Sequence, residues 1–152
     1  MRTPAITGTW VGYYEYGESN SKLLQGTRTN FILNLKQSNR NFSGECIDLS
    51  EDYRNNSTAE VKGFVNKNLI SFIKQYPYRK LIHADGRIEI DYDKSHPEIE
   101  YTGYYNDSKN SFEGTWLMIK RTNLVGYAGF RSVKKVREYS HSGTWEIERD
   151  KI

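Results

Sequence analysis

The apolar residues of this chain recur at every second position and almost nowhere at every third or fourth, which confines it to β-strands. Residues 87–93 (RIEIDYD) carry the pattern cleanly, with Ile88, Ile90 and Tyr92 on one face and Arg87, Glu89, Asp91 and Asp93 on the other. They read as a half-buried strand. Phe31, Leu33 and Leu35 alternate in the same way, and after Ser38-Asn39-Arg40-Asn41 the chain resumes as FSGECIDL, which is a hairpin. A second hairpin turns at Asn66-Lys67-Asn68, between AEVKGFV and LISFIKQY. A third turns over the polar residues 106–110, between EIEYTGYY and SFEGTWLMI.

Further strand candidates lie at 8–16 (GTWVGYYEY), 80–83, 125–133 (VGYAGFRSV) and 143–149 (GTWEIER). The polar stretches 17–30 and 49–58 read as long loops, and 134–142 (KKVREYSHS) as a basic connection into the last strand. No linker of changed composition divides the 152 residues, so one domain over 1–152 is expected. Strands of this number, joined by polar turns, build an antiparallel sandwich or a barrel. Glycine favours the barrel. Gly8, Gly12, Gly44, Gly63, Gly103, Gly114, Gly129 and Gly143 all fall inside strand candidates, where they weaken a flat strand but permit the bending that closure needs. On the inward parity they alternate with large rings, as in Gly8, Trp10, Gly12, Tyr14 or Tyr101, Gly103, Tyr105. The fold expected is all-β, an antiparallel up-and-down β-barrel of about 8–10 strands.

All three tryptophans stand in one tripeptide: Gly8-Thr9-Trp10, Gly114-Thr115-Trp116 and Gly143-Thr144-Trp145. The unequal spacings exclude a solenoid or propeller, so the tripeptide is one local solution used three times: Gly bends the strand, Thr faces out, Trp fills the interior. With Gly8 and Trp10 on the first strand, and ITGTWVGYYEYG followed later by a Phe-Ser-Gly-Glu strand, the sequence resembles the calycins, the barrel superfamily of lipocalins and avidin-like proteins. The resemblance implies a calycin-like barrel in which Trp10 packs under an arginine of the last strand, Arg131 or Arg149. Val11-Gly12 stands where the avidin tryptophan is followed by Asn, so biotin recognition is not implied. Asp91-Tyr92 is all that corresponds to the lipocalin Thr-Asp-Tyr turn.

The chemistry is sparse. A net charge of +3 spread among alternating signs demands no anionic partner, and the densest basic group is Arg131, Lys134, Lys135 and Arg137. Cys46 has no second cysteine to pair with, which excludes a disulfide-stapled scaffold, and its parity makes it a small buried hydrophobe. His83, His96 and His141 share no metal-ligand spacing and read as surface or turn residues. The pairs Glu98/Glu100 and Glu146/Glu148 lie on the outward parity as solvated carboxylates. No stretch approaches the ~20 apolar residues of a membrane span. Neither an apolar leader nor a stapled framework is evident, so the expectation is a soluble, cytoplasmic protein, with no cofactor, no metal site and no catalytic residues.

What remains is the interior. Rings assigned inward are Trp10, Tyr14, Phe31, Phe42, Phe72, Tyr76, Tyr92, Tyr101, Tyr105, Phe112, Trp116, Tyr127 and Trp145, with Asp48, Lys74 and Arg131 as polar residues on the same parity. The leading expectation is non-catalytic binding of an aromatic or amphiphilic small molecule inside the barrel. Its ligand-binding residues are Trp10, Tyr14, Lys74, Tyr76, Tyr101, Tyr105, Trp116, Arg131 and Trp145. A nucleotide-like signal held by rings with Arg28, Lys74 or Arg131 is the alternative, without any long nucleic acid. A third reading is a packed barrel that acts through outward Val11, Tyr13, Phe64 and Tyr104, by docking a partner or forming a homo-oligomer.

Overall fold

The computed structural model describes residues 5–18, 22, 24–49, 57–82, 85, 87–93, 96–126 and 133–150. Ten strands appear in chain order: β1 (Gly8–Tyr16), β2 (Arg28–Ser38), β3 (Asn41–Asp48), β4 (Ser57–Asn66), β5 (Leu69–Gln75), β6 (Arg79–Ile82), β7 (Ile88–Asp91), β8 (Ile99–Asn106), β9 (Ser111–Gly126) and β10 (Val133–Arg149). Eight of them close into an antiparallel barrel in the order β1-β10-β9-β8-β5-β4-β3-β2. The ring closes because β1 pairs with β10 on one side and β2 on the other. No strand of the ring is left as an edge, and the barrel thereby escapes the aggregation that a free edge invites.

The alternation in the sequence becomes alternation across the wall. In β4, Ser57, Ala59, Val61 and Val65 are buried while Thr58, Glu60, Lys62 and Phe64 are exposed. β2 and β5 repeat the pattern with Phe31, Leu33 and Leu35, and with Ile70, Phe72 and Lys74. The three expected hairpins form at the expected turns, and Asn39, Lys67 and Asn110 take positive φ there, a conformation Asn tolerates better than most residues.

Because the ring strands run up and down, these three short turns share one end of the barrel. The strand ends at Tyr16, Asp48 and Gln75, from which the longer connections leave, lie at the other. The short-turn end is plugged. Residues 5–7 cross beneath it, with Ile6 fully buried, its amide donating to Gln37 Oε1 at 2.7 Å, and the Trp10 indole donating to the Ile6 carbonyl at 2.8 Å. Arg149 of β10 stands 4.5 Å from the Trp10 ring centroid and donates to the carbonyls of Thr7 and Ala5.

Several expectations are corrected. The clean alternation at 87–93 does not enter the barrel. β6 and β7 pair only with each other, and Ile90 and Tyr92 are exposed, Tyr92 at 75%. A period of two reports a strand with two unlike faces but not what covers them. The stretch 134–142 is not a connection. β10 runs through it, paired with β9, and residues 125–126 end β9 rather than opening a separate strand. Since β8 leaves β9 at Met118 and β1 leaves β10 at Gly143, the outer halves of β9 and β10 form a two-stranded ribbon beyond the long-connection rim. Register shifts at Tyr139 mark where it leaves the wall. Tyr127, Gly129, Arg131 and His83 lie outside the described residues.

The Gly-Thr-Trp tripeptides have a structural reason that bending alone does not supply. Those of β9 and β10 lie antiparallel, so that Trp116 faces Gly143, Thr115 faces Thr144, and Gly114 faces Trp145. A Cβ on Gly143 would fall 2.5 Å from Trp116 Nε1 and collide with the Glu15 carbonyl oxygen. At Gly143 the absent side chain is the seat of the Trp116 indole, whereas a Cβ on Gly114 would meet the Thr102 carbonyl and Gly103 of β8, and the Trp145 ring lies over Gly103.

Candidate functional site

The interior divides by height. Toward the short turns it is apolar: Trp10 meets Phe112 edge-on at 5.5 Å, and Tyr105 lies 5.1 Å from Phe112. In the middle Phe72 stacks on Tyr101 at 4.7 Å, and Trp145 closes on both at 5.5 and 5.7 Å. Toward the long connections the interior turns polar.

There Asp48, the last residue of β3, and Lys74, near the end of β5, point inward across β4. The Lys74 ammonium donates to Asp48 Oδ1 at 2.7 Å, and the two side chains are only 1% and 5% exposed. The Tyr76 hydroxyl donates to Asp48 Oδ2, the Tyr14 hydroxyl reaches the same oxygen at 3.4 Å, and the Cys46 thiol lies 3.6 Å from Oδ1. Rings surround the cation: Nζ is 4.6 Å from the Tyr14 centroid, 5.0 Å from Tyr76, 5.7 Å from Phe31 and 5.9 Å from Tyr101. Trp116 packs on Tyr14 and Tyr16, and His96 meets Tyr76 edge-on at 4.9 Å.

Dehydration sets the protonation of this cluster. Burial pushes the Tyr14, Tyr76 and Tyr101 phenols well above their ordinary range, and pushes the Cys46 thiol up to about 12. For Lys74 burial acts downward and the facing Asp48 carboxylate acts upward. Burial is the largest single influence, but the upward pull of Asp48, foremost, and of the neighbouring Cys46, Tyr101 and Tyr76 together outweighs it and leaves the ammonium above its ordinary value. The Lys74–Asp48 contact is an ion pair set among neutral phenol and thiol groups.

Of the residues expected to bind, Tyr14, Lys74, Tyr76 and Tyr101 meet around the ammonium, and Trp116 and Trp145 adjoin them. Trp10 and Tyr105 sit apart, in the apolar end. Arg131 lies outside the described residues. Arg28, offered for an interior anion, is on the outer surface, paired with Glu15 at 2.8 Å and over the Tyr13 ring at 4.1 Å. His96, read as a surface residue, is 3% exposed. Asp48 was placed inward by its parity but not among the binding residues, and its link to Lys74 becomes visible only once the β3-β4-β5 register is known. Among the described residues no group of three His, Cys, Asp or Glu side chains is placed to hold a metal ion. Among the described residues no helix is long and apolar enough to cross a membrane.

No protein-family model, no curated protein and no solved structure matches this chain.

Proposed function

We propose that this is a non-catalytic, calycin-like binding barrel, working in the cytoplasm, that takes one small, net-uncharged aromatic or amphiphilic molecule at its long-connection end. The observation that carries this reading is the Lys74–Asp48 pair inside a box of rings. A buried ion pair is commonly no more stabilising than apolar side chains of the same volume, so its presence in an otherwise aromatic interior asks for a use beyond holding the fold. The end where it lies is the one from which the chain leaves β1, β3 and β5 into longer connections, while the opposite end is plugged by Ile6, Trp10 and Arg149. The likeness to calycins is supported by eight ring strands in meander order and by Arg149 standing over the first-strand Trp10.

Charge balance argues for an uncharged ligand over a nucleotide. Lys74 is already neutralised by Asp48, and a phosphate beside it would bring a further anion into a dry site beside Asp48. The inward rings of the wall other than Tyr16 and Tyr105 each expose less than a tenth of their surface, so a ligand makes room by displacing rings at the rim, Tyr16 and Tyr76 first.

Titration of the protein with uncharged heteroaromatic compounds, neutral lipids and nucleotides, followed by melting temperature at low and high salt, tests this. An uncharged compound at a hundred times its Kd is expected to stabilise by about 2.7 kcal/mol, which raises Tm by roughly 5–10 °C, independently of salt. Binding of nucleotides alone, weakening with salt, would replace this reading with the anionic one. Silence across the whole panel would favour the third reading, a packed barrel acting through its surface, for which exposed Phe64 and Tyr104 on either side of β5 are the supporting observation.

A further inference from the structure

We propose that Lys74 and Asp48 are the site of a spontaneous intramolecular isopeptide bond, an amide between Lys74 Nζ and Asp48 Cγ that ties β5 to β3 across β4. The amine nitrogen and a carboxyl oxygen are held at 2.7 Å with side-chain exposures of 1% and 5%, so the encounter needs only the rotation that brings the nitrogen over Cγ, and water is kept from the product. The second carboxyl oxygen is equally placed. Oδ2 accepts from the Tyr76 hydroxyl and is approached by the Tyr14 hydroxyl, two neutral donors at the atom where negative charge would develop.

The step balances without a co-reactant. A proton passes from Nζ to Oδ1 along the existing hydrogen bond, turning the ion pair into a neutral amine and acid. The nitrogen lone pair attacks Cγ, and Oδ2 takes the negative charge under the two phenols. When the C=O bond to Oδ2 re-forms, the bond from Cγ to Oδ1 breaks. Oδ1 leaves as water, carrying the transferred proton and a second one from the attacking nitrogen. Nothing is oxidised or reduced. The carboxylate and the rings around Nζ favour the ammonium, so the amine is a minority species and the bond accumulates slowly in the folded protein. The bond does not depend on ligand binding, and its test is separate from that of the binding reading.

Intact mass of the folded wild-type chain, aged at neutral pH until the mass no longer changes, is the decisive readout. A mass one water below the sequence mass is expected, with fragment ions joining the peptide that contains Asp48 to the one that contains Lys74. Lys74→Arg keeps the cation but lacks the nucleophilic amine, and its mass is expected to stay at the sequence value. Asp48→Asn is expected to lose ammonia in place of water. A wild-type mass equal to the sequence mass overturns the proposal, as does a loss of water that maps to any other residue. Because the wild-type chain alone decides, the test survives a variant that fails to fold.

Discussion

Asp48 holds the polar end of the barrel together, accepting from Lys74, Tyr76 and Tyr14 in a place that water does not reach. Its charge is tolerable only because Lys74 opposes it. Removing one partner of such a pair costs far more than removing the charge from both. Measured against wild-type chain that has not yet lost water, Lys74→Met should therefore lower stability by about 3–5 kcal/mol, because a bare carboxylate is left among rings. Lys74→Met combined with Asp48→Asn should recover a large part of that loss, since Asn removes the charge but still offers an oxygen to the two phenols. Urea denaturation of the two variants checks this. A double variant no more stable than the single one would mean that the pair is held by something other than mutual charge compensation.

At the scale of strands, what local sequence dictates was legible and what distant pairing dictates was not. The hairpins at Asn39, Lys67 and 107–110 follow from turn chemistry between alternating runs, and they form where expected. β10 is hidden because its outer half, KKVREYS, is polar and basic and becomes a strand only by pairing with the outer half of β9. The same distinction holds in the candidate site. Parity alone turned Asp48, Lys74 and most of the rings inward. Which of them meet depends on register and on how many strands stand between, and the burial of His96 depends on its packing against Tyr76. The reciprocal Gly-Trp pairing of β9 and β10 yields a prediction of its own. Gly143→Ala should destabilise by roughly 1–3 kcal/mol through overpacking against Trp116 and the Glu15 carbonyl, and should shift Trp116 fluorescence. An unchanged unfolding midpoint would show that the glycine is not the seat of the indole.

For the molecule as a whole, the buried acids set the pH range of the fold. Tyr14, Tyr76, Tyr101 and Cys46 all hold their protons longer in the folded chain than in the unfolded one. Below the thiol's ordinary value of 9.0 both states keep these protons and the contribution is complete. Above it the unfolded chain ionises first, binds fewer protons than the folded one, and stability falls as pH rises. Where its amine is free, Lys74 acts in the same direction above its ordinary 10.5. Thermal melts should be level between about pH 7 and 9 and decline steeply beyond, an order set by the ordinary thiol and phenol pKa values. Stability that rises above pH 10 would show that the phenols are not buried as neutral donors.

Native mass spectrometry of the protein purified from its own host tests most directly whether the barrel carries a small uncharged molecule beside the Lys74–Asp48 pair. A population of the chain with one small organic molecule attached, released on unfolding and neutral when recovered, is expected. A single species of the bare chain, together with no uptake of any compound in the thermal screen, would contradict it.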